Sequence, residues 1–322
     1  MKSKDDIKPW QNAVSGAAAG VLSRLVIAPL DVVKIRLQIQ TSARPLLKRS
    51  LYSGSSYSAS APKYTGILQS MALIVKEEGV LGLWKGNWPA EYLYLLYGAV
   101  QFVVFHEFMR VTSDSLPDSA RTFIGGAIAG STATFATYPL DLLRTRFAMQ
   151  GTERVYTSLL GACHEIARVE GIRGFYRGVW PSILQIAPYM GIMFGAQGYL
   201  LNLFATRENP LWNHGWDQFL GGGIAGVFSK TAVMPFDVVR KRLQVQGPSR
   251  HSYILSNIPK YDGGFYACAK QIAIQEGLGA LYKGLWPSLV KTAPSSAITF
   301  WVVGECRAFF SSMPEKYNSG SS

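Results

Sequence analysis

The residues in this 322-residue chain whose types and spacing could do chemistry are charges set inside apolar stretches. Asp31 and Lys34, Asp141 and Arg144, and Asp237 and Arg240 each stand three residues apart, which puts acid and base on one face of a helix. Each pair sits just after a proline: Pro29-Leu30-Asp31-Val32-Val33-Lys34-Ile35-Arg36, Pro139-Leu140-Asp141-Leu142-Leu143-Arg144-Thr145-Arg146 and Pro235-Phe236-Asp237-Val238-Val239-Arg240-Lys241-Arg242. In a threefold bundle, Asp31 meets Arg144, Asp141 meets Arg240 and Asp237 meets Lys34, a ring that closes one end. Gln38 and Gln244, four residues past their bases, are expected to add hydrogen bonds to it. Independent surface pairs would be worth only about 0–1 kcal/mol each. Three recurrences behind a proline inside apolar helices point instead to a latch.

Other charges do not repeat. Arg24, Glu91, Lys230 and Lys291 each interrupt a hydrophobic stretch. An ionised group at membrane depth is costly and usually faces a bundle interior or a water-filled cavity.

The elements that must position these groups follow from composition and repetition. Hydrophobic residues make up 48% of the chain and charged residues 16%, well under the roughly 25% of a soluble domain. Mean hydropathy is only +0.11, low for plain apolar spans, so apolar segments with one polar face are required. Residues 178–206 are free of Asp, Glu, Lys and Arg, and 122–140 form a second such stretch; the former exceeds the roughly 20 residues of a span. Allowing cavity-facing charges extends the set to six, near 10–40, 83–112, 118–149, 176–206, 213–246 and 281–311. A second signal repeats in register with the proline motif: Glu78-Gly79 before Trp84-Lys85-Gly86, Glu170-Gly171 before Tyr176-Arg177-Gly178, and Glu276-Gly277 before Tyr282-Lys283-Gly284. Three copies of a unit of two spans and a short amphipathic segment result, divided as 1–115, 116–208 and 209–322. Paired glycines four apart (Gly16 and Gly20, Gly126 and Gly130, Gly222 and Gly226) are expected to let helices approach closely, and each proline to bend its helix.

Several chemistries are disfavoured. Cys163, Cys268 and Cys306 have no short spacing and the four histidines are scattered, so neither a disulfide framework nor a metal site is expected. Gly221-Gly222-Gly223-Ile224-Ala225-Gly226 satisfies a dinucleotide-binding pattern, but its glycines align with those of the other repeats inside a helix. The N-terminus has two acids and no Arg-rich run, arguing against a cleaved leader. Basic loops around Ser50–Ser60 and Gly247–Lys260 lack an aromatic platform or recognition helix for nucleic acid and read as solvated loops near anionic lipid. No nucleophile–base pair recurs to support an enzyme.

The pattern P-x-[DE]-x-x-[KR]-x-[KR] followed by [DE]-G-x(4)-[WYF]-[KR]-G is complete three times, and on it the chain resembles the mitochondrial carrier family over essentially its whole length. The resemblance implies an all-α membrane protein: six transmembrane helices in three pseudo-threefold repeats, with three short matrix helices. It implies alternating access in the inner membrane, both termini toward the intermembrane space, a monomer and no cofactor. It also implies cardiolipin near Trp84, Lys85 and Gly86, near Tyr176, Arg177 and Gly178, and near Tyr282, Lys283 and Gly284; free N–H groups at a helix start suit a lipid phosphate. One departure stands out. Where the family's even spans carry an acid of a second, cytosolic ring, this chain has His106, Gly198 and Gly304, so that gate is expected to close mainly by packing.

Aligned on Phe102, Phe194 and Phe300, the family's contact points fall at Leu93-Tyr94, Gln185-Ile186 and Lys291-Thr292, with Tyr97, Tyr189 and Ser295 one turn on. Five residues before each proline stand Arg24, Thr134 and Lys230. Arg24, Lys230 and Lys291 break the threefold pattern, nothing in the sequence neutralises them, and such cations suit a phosphate-bearing anion. Tyr94, Tyr97 and Tyr189 stack on a ring or pack between helices; Gln185 or Gln101 bonds ring nitrogens. The residues thus indicate a phosphorylated, ring-containing anion. Residues 28–38, 97–102 and 138–150 resemble carriers of thiamine pyrophosphate within the family, which implies that cargo, exchanged for nucleotides or moved alone. A nucleotide or coenzyme A is the alternative.

Overall fold

The computed structural model describes residues 9–41, 62–112, 117–205, 216–255, 258–261 and 263–312. The serine-rich stretch 50–60 lies outside them. The first repeat contains α1 (Pro9–Ile39), α2 (Ile67–Glu78) and α3 (Asn87–Val111). The second contains α4 (Asp118–Ala148), α5 (Leu159–Val169), α6 (Ile172–Phe175), α7 (Val179–Leu184) and α8 (Ile186–Ala205). The third contains α9 (Trp216–Gln244), α10 (Gly264–Gln275), α11 (Leu285–Val290) and α12 (Thr292–Ser312). No strand occurs among the described residues. Helix α3 packs along α4, α8 along α9 and α12 along α1, closing a ring in which each repeat's last span lies against the next repeat's first.

The first span of each repeat keeps its proline inside a continuous helix (Pro29, Pro139, Pro235). The second spans differ. Helix α3 is unbroken, whereas its counterparts divide at Gln185 and Lys291, so the expected spans 176–206 and 281–311 are each two helices. Proline explains the difference. Pro188 and Pro294 stand where the first repeat has Leu96; lacking an N–H, each forfeits the bond to the carbonyl four residues back, at Leu184 and Val290, where α7 and α11 end. The ladder resumes at once, with Tyr189 N–H donating to Gln185 O at 3.0 Å and Ser295 N–H to Lys291 O at 3.1 Å.

By length and apolarity, Ser15–Ile39 and Val80–Val111 qualify as membrane-crossing among the described residues, rather than the two charge-free stretches. The latter are cut by proline or carry polar cavity residues.

The dry core lies at one end of the ring. Val32, Val33, Ile39, Leu142, Leu143 and Val245 pack there with Ile74 of α2 and Ile166 of α5. Helices α2, α5 and α10 each bury two residues four apart, Ser70 and Ile74, Ala162 and Ile166, Cys268 and Ile272, as amphipathic helices do. Toward the other end Val21, Leu22, Val26, Val103, Phe194 and Phe228 are exposed, apolar surface of the kind lipid covers.

Of the paired glycines, Gly130 acts as expected: a Cβ there would lie 3.5 Å from Ile186 of α8 and 3.6 Å from the Tyr97 hydroxyl, and one at Gly222 would lie 3.9 Å from Gln197. A Cβ at Gly16, Gly20, Gly126 or Gly226 would meet nothing within 4 Å. The tightest approach belongs to other glycines. Gly86, Gly178 and Gly284 have φ of 80°, 81° and 79°, a region that favours glycine. A Cβ there would lie 2.5 Å from Arg144 O, 3.1 Å from Arg240 O and 3.3 Å from Lys34 O respectively. Each glycine seats its helix start on the next repeat at the residue that supplies a ring base.

Candidate functional site

A cavity of about 320 Å³ sits between the three repeats, with Asp31, Asp141 and Asp237 on its floor. These side chains are buried, exposing 6%, 5% and 4% of their surface. Arg144 Nη2 donates to Asp31 Oδ2 at 2.5 Å, Arg240 Nη2 reaches Asp141 Oδ2 at 2.8 Å and Lys34 Nζ reaches Asp237 Oδ2 at 2.8 Å. Each contact joins two repeats, so the three form a closed ring.

The ring is more heavily cationic than the spacing implied. Lys241 Nζ lies 3.1 Å from Asp141 Oδ2 and donates to Thr145 Oγ1 at 2.8 Å and Gln244 Oε1 at 2.9 Å. The sequence reading missed Lys241, although it stands where the other copies have Ile35 and Thr145. Gln244 bonds Asp141, Thr145 and the Tyr138 hydroxyl. Gln38 does not repeat this: both polar atoms of its side chain are buried without a partner. The equivalent positions on α9 are Met234, which has no hydroxyl, Lys241, which is committed to Asp141, and Asp237, which is held by Lys34 and Lys230.

Lys230 and Lys291, expected to have no neutralising partner, are each paired with an aspartate that a ring base also holds. Lys230 Nζ sits 2.9 Å from Asp237 Oδ2, and Lys291 Nζ sits 2.6 Å from Asp31 Oδ1. A lysine stem spans the two helical turns from residue 230 to 237, and the break at Lys291 aims its chain into the cavity floor. Arg24 lies over the Tyr94 ring at 3.4 Å from the centroid, a cation–π contact, while the Tyr94 hydroxyl accepts from Arg144 Nη1 at 2.8 Å. The ring of Tyr94 is therefore covered on one face by the chain's own arginine. Tyr97 and Gln185 line the cavity with Thr134, and Gln185 Oε1 is buried without a partner. Tyr189 is half-buried and, like Arg24, lies outside this lowest part of the cavity. At the opposite end, Glu107 and Arg110 form an exposed pair on one helix at 3.4 Å.

Beneath the ring is a second network that the sequence reading missed. The last arginine of each proline motif is almost fully buried and bonds the glutamate of its own repeat: Arg36 Nη2 to Glu78 at 2.9 Å, Arg146 Nη2 to Glu170 at 3.0 Å, Arg242 Nη2 to Glu276 at 3.0 Å. Each also donates to a tyrosine hydroxyl, on Tyr64, Tyr156 and Tyr261, at 3.0, 3.3 and 2.7 Å. Finally each caps the carbonyl end of the next repeat's first span: Arg36 at Ala148 and Gln150, Arg146 at Gln244 and Gln246, Arg242 at Gln38 and Gln40. A cation there suits the negative end of the helix dipole. Extending the repeat comparison by four residues, to Gln40, Gln150 and Gln246, would have flagged the network, because these glutamines accept from the backbone N–H of the same three tyrosines at 2.8, 2.8 and 3.3 Å. Burial pushes the Glu78 and Glu276 carboxyls up, but bonds from Arg36 and Lys85, and from Arg242 and Lys283, outweigh it and hold both below the usual glutamate range.

The residues expected near lipid are partly committed to the same framework. Lys85 bonds Glu78 at 2.6 Å and Gly151 O at 2.6 Å; Lys283 bonds Glu276 at 2.7 Å and Gln40 O at 2.8 Å; Arg177 Nε reaches Glu170 at 2.8 Å. Trp84 Nε1 donates to Leu25 O at 2.8 Å, the carbonyl that Pro29 leaves unbonded. At the equivalent place Tyr176 stacks on Phe135, centroids 4.9 Å apart.

The mitochondrial carrier protein family profile matches residues 5–116, 117–208 and 212–314. The chain is 48% identical over 306 residues to the mitochondrial thiamine pyrophosphate carrier 1 of Aspergillus terreus, covering 94% of this chain and 92% of that one. It is 47% identical to the protein of the same name from Pyricularia oryzae, covering 92% of each, and 46% identical to that from Ajellomyces capsulatus, covering 90% and 88%. With three such matches along a ring of paired spans, the chain is a mitochondrial membrane protein that belongs to the mitochondrial carrier family.

Proposed function

We propose that this protein carries thiamine pyrophosphate across the mitochondrial inner membrane by alternating access, in exchange for nucleotides or alone, as a monomer with both termini toward the intermembrane space. The observation that carries the reading is a cavity whose non-repeating groups are cations: Lys230 and Lys291 on its floor, with Arg24 above. Its support is the shared name of relatives 46–48% identical over about nine-tenths of the chain.

In the mechanism, the diphosphate engages Lys230 and Lys291, where a poorly hydrated site strengthens charge-assisted bonds. The amino group on the pyrimidine ring donates to Gln185 Oε1, an acceptor with no partner of its own. Arg24 swings off Tyr94, freeing a face for the ring; Tyr97 and Tyr189 wall the path above. A ligand shifts a conformational equilibrium only by binding one state better than the other, so the occluded complex must offset loss of the Asp31–Arg144, Asp141–Arg240 and Asp237–Lys34 contacts. The spans then rotate about their prolines and open the latched end. In this reading cardiolipin binds at the starts of α3, α7 and α11, on backbone N–H groups near Gly86, Gly178 and Gly284, with the side chains of Lys85, Arg177 and Lys283 partly engaged inward.

The test is uptake of radiolabelled thiamine pyrophosphate by liposomes containing the purified chain. Unaltered label should accumulate, and Lys291→Ala should abolish uptake while the protein remains folded. Uptake unchanged by Lys291→Ala overturns this site. Competition by nucleotide or coenzyme A stronger than by thiamine pyrophosphate moves the cargo to those ligands, and release of altered product would mark an enzyme.

A further inference from the structure

Each floor aspartate is held by two cations, and the second differs from corner to corner. Asp31 has Arg144 and Lys291, Asp237 has Lys34 and Lys230, and Asp141 has Arg240 and Lys241. The second cations are not equally reachable. The side chains of Lys230 and Lys291 expose 27% and 19% of their surface toward the cavity, against 7% for Lys241. Lys241 is also tied to Thr145 and Gln244. A ligand descending the cavity can therefore compete for the second cation at two corners and not at the third.

We propose that Lys230 and Lys291 are shared cations, held by Asp237 and Asp31 when the cavity is empty and surrendered to the phosphates of the cargo, so that these two aspartates set the anionic charge a ligand must bring. The inference rests on the reading of the cargo as a phosphate-bearing anion. Each lysine must exchange a carboxylate for a phosphate oxygen, and charge-assisted bonds to a more highly charged incoming group favour that exchange. A ligand with two linked phosphates brings more charge and more acceptor oxygens to the two lysines than one with a single phosphate. Discrimination arises from this built-in competitor, a repulsive element of the kind specificity commonly needs.

The same exchange weakens the latch selectively. Asp31 and Asp237 each fall back on one cation, while Asp141 retains both of its own. At the Asp31 corner Tyr94 adds a second route, since its ring carries Arg24 and its hydroxyl bonds Arg144; drawing Arg24 to a ligand uncovers the residue that braces the remaining partner of Asp31. The corner at Asp141 stays shut longest.

The experiment measures binding of inorganic pyrophosphate, orthophosphate and thiamine pyrophosphate to the purified full-length chain by titration calorimetry. Asp31→Asn and Asp237→Asn should each bind pyrophosphate roughly three- to tenfold more tightly than the unaltered protein, because removing one partner of a desolvated charge pair frees the other. Their preference for pyrophosphate over orthophosphate should narrow. Asp141→Asn should stay within about twofold, which separates the sharing from a general rise in positive potential. Adding Lys291→Met to Asp31→Asn should erase the gain, as coupled residues require. If one Asn variant fails to fold, the other is compared with Asp141→Asn alone. Pyrophosphate affinity unchanged or weakened in the folded variants, or an equal gain in Asp141→Asn, overturns the proposal. Pyrophosphate binding without thiamine pyrophosphate binding would remove the cargo reading and leave the sharing intact.

Discussion

Below the cavity floor the three repeats make the same contacts three times, whereas at cavity level the repeats diverge. Arg36, Arg146 and Arg242 each bond a glutamate, a tyrosine and the end of the next repeat's first span. Higher up, the positions five before the proline hold Arg24, Thr134 and Lys230, and the contact level holds Leu93, Gln185 and Lys291. Repetition marks what joins the repeats to one another. Its failure marks what faces something asymmetric, and a small metabolite has no threefold axis.

This contrast can be broken most forcefully in the lower network. Arg146→Met takes from Glu170 its buried partner, leaving it only the partly exposed Arg177, and uncovers two helix-end carbonyls; a loss toward the lower end of the about 3–5 kcal/mol of a broken buried pair is expected, read as a large fall in unfolding temperature in detergent. An equally large fall from Lys230→Met, at cavity level, would erase the distinction.

Glycines sharpen it next. Gly86→Ala places a Cβ at positive φ and 2.5 Å from Arg144 O, so a destabilisation of about 1–3 kcal/mol is expected from strain at such a site. Gly16→Ala meets nothing within 4 Å and should leave stability in the open state within about 0.5 kcal/mol.

A smaller effect concerns pH. Glu78 and Glu276 titrate below the ordinary 4.5 when folded. A carboxylate whose value is depressed on folding adds stability above its unfolded value and loses it as pH falls through the folded one. The unfolding temperature should therefore hold from neutrality to about pH 4.5 and decline below it; Glu78→Gln should be less stable at neutrality and decline less. A steeper acid decline in Glu78→Gln would contradict the assignment. The smallest effect is expected at the exposed Glu107–Arg110 pair, where Arg110→Ala should alter stability by less than about 0.5 kcal/mol.

Much of this was legible in the chain. Proline followed by acid and base three apart fixes a helix face, and three copies in one ring set each acid against the neighbouring copy's base, the contacts seen from Asp31 to Arg144 and onward. The partners of Arg36, Arg146 and Arg242 lie 42, 24 and 34 residues away, beyond any periodicity. Pro188 and Pro294 were visible, but that they would break two spans and spare α3 emerges only when the three copies are compared with Leu96 in view.

Sequence alone determined three helical hairpins and which charges recur, because periodicity and repetition are properties of order along a chain. Tertiary structure decided that Lys230 and Lys291 are already paired, that the side chain of Gln38 bonds nothing where that of Gln244 bonds four groups, and that Trp84 covers the carbonyl Pro29 leaves open. Those outcomes depend on distances across a cavity. Helix tilt, kink and the reach of a flexible side chain set them, and no spacing in the chain records these.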